Sequence, residues 1–211
     1  MTTIRDFKKN GYCIVKYAVS KELRDFVTQY AMFDEMQDNA EHLGDEQVPA
    51  AHSKYADPAM EAMLLQLLPI MEQHTGLKLH PTYSYYRIYG NGDSLARHMD
   101  RPSCEISATL CFNYSYDDSK IQWPIYMNGT PAILEPGDMV IYRGCELDHW
   151  REELVASDDD WHVQGFFHYV DANGPYAQEF KFDGRQSIGE ALVVNKPVNN
   201  AVQKSYITYT K

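Results

Sequence analysis

Three side chains that could hold one metal ion stand in two short polar segments of the chain. His98 and Asp100 are separated by one residue, Met99. In extended chain, residues two positions apart point to the same face. His149 follows a tight turn at Pro136-Gly137, a short apolar run and a polar turn. Two histidines and one carboxylate can occupy one face of an octahedral ion and leave three positions open. The spacing therefore predicts a metal site formed by His98, Asp100 and His149.

Other interpretations of these residues stay open at this point. The pattern His-x-Asp occurs often by chance, so His98 and Asp100 could form no more than a hydrogen-bonded surface pair. His162 and His168 are rivals of His149 for the distal ligand position. We favour His149 because a turn, a strand and a second turn precede it, in that order.

From residue 82 onward the sequence has the pattern of many short strands. Runs rich in Tyr, Ile and Val alternate with turn residues such as Asn91-Gly92 and Pro136-Gly137, which favours a sandwich or a barrel. The predicted strands are residues 83–89, 105–114, 121–126, 131–134, 139–142 and 161–170. The candidate ligands would then come from different strands of one sheet structure.

The first part of the chain mixes one strand with helices. Residues 11–17 alternate as a strand does, and apolar residues at helical spacing follow Ser20. Residues 34–55 are polar and weakly patterned, which predicts a long loop. A second helix is predicted to begin at Asp57-Pro58 and to end at Gly76, since Asp is a good N-cap and Gly a good C-cap.

Beyond Gly174 the pattern is weak. Residues 191–194 and 206–209 are the two places where strands are considered.

Composition bounds the class of protein. With 211 residues, 44% of them hydrophobic, the chain can bury the core of one large domain. A net charge of −11 without a run of Lys and Arg disfavours nucleic acid and anionic membranes as partners. Residues 1–10 are too polar for a signal peptide. The four cysteines contain no Cys-x-x-Cys pair, so we expect no structural zinc. Because no export signal is recognised, we expect reduced thiols and a cytoplasmic location.

Residues 83–170 resemble the 2-oxoglutarate- and iron(II)-dependent dioxygenases, most closely their prolyl-4-hydroxylase-like branch. The resemblance rests on the strand YYRIYG at 85–90, the segment RHMD at 97–100, the strand SATLCFNY at 107–114, EPGD at 135–138 with His149 beyond it, and a closing strand that ends in FFH at 166–168. The order and spacing of these segments carry the likeness, which covers less than half of the chain.

The resemblance implies a mainly β protein with supporting N-terminal helices around a double-stranded β-helix, the jelly-roll or cupin-like barrel. It implies one domain over residues 1–211, with helical support to about residue 81, a catalytic barrel at about 82–172 and a tail at about 173–211. His98, Asp100 and His149 take the family's metal-ligand and catalytic positions, with iron(II) as the metal. The co-substrate would be 2-oxoglutarate, with ascorbate as a supporting reductant.

The group that binds the far carboxylate of 2-oxoglutarate is predicted separately. A charge carried into a closed barrel needs a cation and hydrogen bonds, and relatives have a Lys or Arg on the closing strand where this chain has Gly165. Arg151, two residues after His149, is the predicted replacement, filling the space that Gly165 leaves. Tyr89 matches a tyrosine that contacts 2-oxoglutarate in related hydroxylases, and Arg87 is the second candidate cation.

The predicted activity is hydroxylation of a C–H bond, with a prolyl residue or another peptide or amino-acid substrate as the leading candidates. Asp100 favours hydroxylation over halogenation, because halogenating relatives have a small residue at this position. Two alternatives stay open: a cupin-like metal-binding or ligand-sensing barrel without turnover, and another cupin-type metalloenzyme that does not use 2-oxoglutarate. The expected partners are dioxygen and a small-molecule, peptide or protein substrate, and neither nucleic acid nor membrane.

One alternative concerns Arg151, the predicted carboxylate-binding residue. It could instead face solvent beside Glu153.

Overall fold

A computed structural model of the chain describes residues 2–37, 45–117 and 120–189. The helices are α1 (Thr2–Asn10), α2 (Lys21–Gln37), α3 (Pro58–Thr75) and α4 (Ala177–Phe180), with short 3-10 helices at Pro102–Cys104 and Lys181–Gly184. The strands are β1 (Tyr12–Val15), β2 (His52–Tyr55), β3 (Leu79–Gly90), β4 (Leu95–His98), β5 (Ile106–Tyr114), β6 (Ile125–Met127), β7 (Thr130–Ala132), β8 (Met139–Arg143), β9 (His149–Arg151) and β10 (Trp161–Asp171). Within these ranges no helix has the length and apolar character needed to cross a membrane.

The strands form two antiparallel sheets. The larger has the order β1-β8-β5-β10-β3-β2, and the smaller has the order β4-β9-β6-β7. From β3 to β10 the chain passes back and forth between the sheets, so that β3, β5, β8 and β10 lie in one and β4, β6, β7 and β9 in the other. This winding is a double-stranded β-helix, and the predicted jelly-roll fold is confirmed.

The larger sheet is covered on both faces. In β10 every residue between the two terminal ones is buried, and side chains alternate between the two faces of a strand. The odd-numbered residues 163–169 face the helices, where Val163, Phe167 and Tyr169 join the main hydrophobic core. The even-numbered residues 162–168 face the interior of the barrel.

Helix α3 has the predicted ends and supports the sheet. The Asp57 side chain accepts hydrogen bonds from the backbone N–H groups of Ala59 and Met60, and Gly76 ends the helix in the left-handed conformation, with φ 75°. One side of the helix is buried in the main core through Met60, Met63, Leu64, Leu67 and Met71. The predicted apolar stripe of this helix is therefore core, as expected.

Gly165 faces the helices and not the barrel interior. An added Cβ there would lie 2.6 Å from a ring atom of Phe112 and 2.8 Å from one of Phe167, and both rings belong to the main core. The expectation that Arg151 fills the space left by Gly165 was therefore wrong. Strand alternation places Gln164, and not Gly165, on the interior face.

Some predicted boundaries were also wrong. The loop expected at residues 34–55 is shorter, because α2 continues to Gln37 and β2 pairs with β3. The strand expected from residue 121 begins only at Ile125. Helix α1 was not predicted. The strands considered at residues 191–194 and 206–209 lie outside the described residues.

The segment after β10 packs beside the start of the barrel through ion pairs. Arg185 is buried, with Nη2 2.5 Å from a carboxylate oxygen of Glu61 and 2.8 Å from the Thr82 carbonyl oxygen. Asp183 accepts two hydrogen bonds, of 2.8 and 2.9 Å, from Arg101 and one of 2.5 Å from the hydroxyl of Tyr55. The C-terminal part of the described chain is thus tied to the residue that follows Asp100.

We expect Gly165→Ala to lower the free energy of unfolding by about 1–3 kcal/mol, because the new methyl group overpacks a core already filled by Phe112 and Phe167. The matched control is Gly90→Ala on the paired strand β3, where the added Cβ would make only an ordinary contact, 3.9 Å from Asp93. Urea unfolding of both variants measures the difference. Equal midpoints would contradict the assigned orientation of Gly165.

Candidate metal centre

The three predicted ligands lie together at one end of the smaller sheet. His98 ends β4 and His149 begins β9, and the two residues are direct partners in the ladder. Oδ1 of Asp100 lies 3.6 Å from Nε2 of His98 and 3.5 Å from Nε2 of His149. The three donor atoms lie within 4.8 Å of one another. The structure thus brings together the residues that the sequence predicted.

Both imidazole rings are held in the tautomer that suits a metal. Nδ1 of His98 donates to the Ala96 carbonyl oxygen at 2.8 Å, and Nδ1 of His149 donates to the Leu147 carbonyl oxygen at 3.0 Å. A carbonyl oxygen can only accept, so the proton of each neutral ring is on Nδ1. In this neutral tautomer each Nε2 carries its lone pair on the side of Asp100, which is the form a metal ion requires.

The Asp100 carboxylate is charged and held on both sides. Burial alone would raise the pKa of this carboxyl, but contacts with His149 and His98 outweigh burial and lower it. Oδ2 lies 3.0 Å from the hydroxyl of Ser107, which is also 2.9 Å from Nδ1 of His168. The side chain is therefore fixed with Oδ1 on the side of the two metal-facing imidazoles.

Gly144 is a residue of this centre that the sequence analysis missed. Its carbonyl oxygen accepts a 2.9 Å hydrogen bond from the backbone N–H of Asp100. An added Cβ at Gly144 would collide with Asp100 Oδ2 and with the Cys104 carbonyl oxygen. Only glycine lets the turn before His149 approach Asp100 this closely. The sequence signal was a glycine directly after β8.

Arg151 lies inside the barrel, on the same face of β9 as His149. Both are buried, while Trp150 between them is half-buried. Arg151 donates to the Trp123 carbonyl oxygen at 2.7 Å and to Oε1 of Gln164 at 3.0 Å, and its guanidinium lies 4.2 Å from the centre of the Trp123 ring. Burial lowers the pKa of this guanidinium. Among the described residues no carboxylate pairs with it, and the alternative of a solvent-facing Arg151 beside Glu153 is excluded.

A neutral polar network surrounds Arg151. The amide of Gln164 also donates to the Thr109 hydroxyl at 2.7 Å, and its Oε1 lies 2.7 Å from Nε2 of His162. Burial, and then repulsion from Arg151, lower the pKa of His162 to about 3. The network holds the guanidinium without neutralising its charge. Gln164 and Thr109 were not predicted, because strand alternation alone does not identify their partners.

Arg87 and Tyr89 also face the interior, but Arg87 already has an anionic partner. Its Nη1 donates to the Tyr89 hydroxyl at 2.9 Å, and its Nη2 forms an ion pair with Asp45. Burial lowers the pKa of Arg87, yet Tyr89 and Asp45 outweigh burial and raise it. Arg87 Nε is buried and has no hydrogen-bond partner within the described parts of the chain. The second candidate cation is therefore neutralised by the protein itself.

The two rival histidines, His162 and His168, are both buried, and neither belongs to the cluster of His98, Asp100 and His149. His162 contacts the Tyr116 hydroxyl at 2.8 Å and belongs to the Arg151 network. His168 lies behind Asp100, and burial lowers its pKa to about 4. Its ring lies tilted against that of Tyr83, with 4.5 Å between the centroids.

No protein-family profile matches the chain, and no curated protein matches it in sequence. Solved structures do match in fold. A prolyl-4-hydroxylase from Pseudomonas putida is 17% identical, with a TM-score of 0.57, over 79% of this chain and 97% of that one. HygX from Streptomyces hygroscopicus, with nickel and 2-oxoglutarate bound, is 11% identical, with a TM-score of 0.60, over 82% and 87%.

A third similar structure is the epimerase SnoN in complex with Fe3+, α-ketoglutarate and a nogalamycin compound. It is 10% identical, with a TM-score of 0.66, over 81% of this chain and 83% of that one. The chain therefore has the fold of the prolyl-4-hydroxylase-like, 2-oxoglutarate-dependent oxygenases, as the sequence resemblance implied. At these identities the likeness concerns the fold, and the chemistry has to be argued from the side chains.

The neutral state of His162 predicts a pH dependence of stability. Its pKa is about 3 in the folded protein and roughly 6.5 in an unfolded chain, so the unfolded state binds the proton more tightly. The free energy of unfolding should fall as the pH drops from roughly 6.5 towards 4. In His162→Gln the slope between pH 6 and pH 4 should be smaller by up to about 1.4 kcal/mol per pH unit. Urea unfolding at several pH values tests this, and an unchanged slope would contradict it.

Proposed function

We propose that this protein is a 2-oxoglutarate- and iron(II)-dependent oxygenase that hydroxylates a C–H bond. One observation carries the proposal: His149 lies on the same interior face of β9 as Arg151, a cation that no carboxylate of the described residues pairs with. One end of that face offers metal ligands, and the other offers a buried positive charge. A ligand that chelates a metal and carries a second negative group fits both.

His98, Asp100 and His149 would hold the iron. Two neutral imidazole nitrogens and one carboxylate suit iron(II) and leave three coordination positions open. The bonds from Nδ1 to the Ala96 and Leu147 carbonyl oxygens orient both Nε2 lone pairs towards the metal position, and Ser107 holds Asp100 in place. When bound, iron(II) supplies the oxidising chemistry that couples conversion of 2-oxoglutarate and dioxygen to succinate and carbon dioxide with hydroxylation of the substrate.

Arg151 would bind the far carboxylate of 2-oxoglutarate. The extended chain rises about 7 Å over the two residues from His149 to Arg151. This rise is similar to the length of a five-carbon dicarboxylate, so 2-oxoglutarate could reach from the metal to the guanidinium. The planar fork of Arg suits a carboxylate, and a carboxylate would supply the negative charge that Arg151 lacks. Tyr89 has a hydroxyl proton left to donate towards the same ligand, because its oxygen accepts from Arg87.

The substrate class is the finer part of the proposal. Prolyl hydroxylases are among the similar structures, one of them, from Trichoplax adhaerens, in complex with a peptide fragment of hypoxia inducible factor. A prolyl residue or another peptide or amino acid is therefore our leading candidate. HygX was crystallised with the small molecule hygromycin B, which supports small molecules as a second class. A metal-binding barrel without turnover is the alternative function.

Asp100→Ala should abolish the release of succinate from 2-oxoglutarate and weaken manganese(II) binding, because it removes the only charged ligand of the proposed triad. Nickel or manganese should exchange for iron in the unaltered protein. The control is Asp159→Ala, which removes an exposed carboxylate. Succinate assays with iron(II) and ascorbate, and manganese titration, measure the two effects. Full succinate release by Asp100→Ala would refute the triad, and none from the unaltered protein would favour the non-catalytic barrel.

Arg151→Ala should raise the 2-oxoglutarate concentration needed for half-maximal turnover by roughly 100-fold, as expected for loss of a charged, two-pronged hydrogen bond. Manganese binding should stay intact, since Arg151 is not a ligand. Arg151→Lys keeps the positive charge but not the planar two-pronged donor. Its 2-oxoglutarate requirement should lie between those of the unaltered protein and of Arg151→Ala. If Arg87→Ala raises the 2-oxoglutarate requirement and Arg151→Ala leaves it unchanged, the far carboxylate is bound by Arg87 and not by Arg151.

A further inference from the structure

The two oxygens of the Asp100 carboxylate face different groups of side chains. Oδ1 is the atom beside His98 and His149, whereas Oδ2 is the atom beside Ser107 and, through it, His168. Cys104 lies on this second side, at the end of the short helix Pro102–Cys104. Donor atoms of Asp100, Cys104 and His168 all lie within 4.8 Å of one another. Asp100 therefore stands between two sets of potential metal ligands.

We propose that Asp100, Cys104 and His168 form a second metal site, one for a thiophilic dication of the zinc class. It rests on the proposed function only in that it shares Asp100 with the proposed iron site. Carboxylate, thiolate and imidazole are all zinc ligands. The thiolate and the carboxylate together supply two negative charges, which neutralise a dication, whereas the triad supplies only one.

The surroundings of the cluster suit such an ion. Cys104 is 2% exposed and His168 6%, so water competes little for the ion. The Tyr83 hydroxyl lies 3.1 Å from Sγ of Cys104, where it can donate to a thiolate. Metal binding forms the metal–sulfur bond and breaks the S–H bond, and the proton leaves to solvent.

The donor atoms must move only slightly to bind zinc. Tetrahedral bonds of about 2.0–2.3 Å place ligand atoms roughly 3.3–3.8 Å apart, against an upper bound of 4.8 Å in this structure. The required closure is at most about 1.5 Å, which side-chain rotation of Cys104 and His168 can supply. Ser107 gives up its contact with His168 or Asp100 when the ion enters.

The two donor sets share the Asp100 carboxylate, so an ion in one set affects binding in the other. A zinc-class ion beside Cys104 offsets part of the negative charge that Asp100 offers to an ion beside His98 and His149, and a buried site screens this effect little. Thiolate ligands select such ions over the hard cations magnesium and calcium.

Cobalt(II) is the probe that separates the two donor sets. Cobalt bound to a thiolate gives an intense charge-transfer absorption in the near ultraviolet, which nitrogen and oxygen ligands do not give. We expect this band when cobalt is added to the unaltered, metal-free protein. It should be lost in Cys104→Ser and at least strongly reduced in His168→Gln. Circular dichroism verifies that both variants fold.

Two cysteine variants are the matched controls. Cys145→Ser alters a thiol near the centre, whose Sγ lies 3.4 Å from the Arg101 carbonyl oxygen, and Cys111→Ser alters a buried thiol elsewhere. Both should keep the band. In a His149→Ala background, which weakens zinc binding by the triad, zinc affinity should fall on adding Cys104→Ser by more than the roughly 10–100-fold that loss of a group supporting a metal ligand costs. Cobalt binding without the band, or a band that survives Cys104→Ser, would overturn the proposal.

The result does not depend on whether the protein turns over 2-oxoglutarate. His149→Ala removes a ligand of the triad alone, and it should keep the cobalt band. The cobalt–thiolate band together with no succinate release would support the second site and reject the oxygenase. Succinate release without the band would support the oxygenase and reject the second site.

Discussion

A positive charge that is buried without an opposite charge beside it is costly, unless a ligand supplies the missing charge. Arg151 is in this position, held by the Trp123 carbonyl and ring and by the amide of Gln164. The groups around it preserve its charge and do not cancel it. His162 stays neutral because burial and Arg151 itself lower its pKa. An interior arranged in this way is complementary to an anion, and the proposed 2-oxoglutarate site rests on that complementarity.

The other arginines at the barrel have carboxylate partners, and this difference separates their roles. Arg87 pairs with Asp45, Arg101 with Asp183 and Arg185 with Glu61. Each pair joins segments that are far apart in the sequence, and removal of either partner would leave an uncompensated charge. These arginines hold the barrel together. Of these four arginines, only Arg151 has no carboxylate partner among the described residues, so its charge is available to a ligand.

The sequence was sufficient for features that depend on local periodicity. The turn before His149 and the caps of α3 are set by neighbouring residues, and the structure has them where they were predicted. The strand face expected for His98 and Asp100 is not formed, because β4 ends at His98 and Asp100 follows the strand. The two side chains nevertheless lie together with His149. Strand β2 and the orientation of Gly165 were predicted wrongly, because each depends on a partner strand distant in sequence. The polar partners of Arg151 were missed for the same reason. Which cation lacks a carboxylate can be recognised only when all neighbours are known.

The position of β10 has a consequence for the order in which the molecule can form. Among the strands of residues 2–37, 45–117 and 120–189 it comes last along the chain, yet it lies in the middle of the larger sheet, between β5 and β3. During synthesis those two strands have no common partner until residue 171 has left the ribosome. The chain therefore emerges with two unfilled sheet edges, which favour association with other chains until they are paired. Completion of the barrel waits for the final strand, so a nascent chain truncated before β10 should depend on chaperones to remain unaggregated.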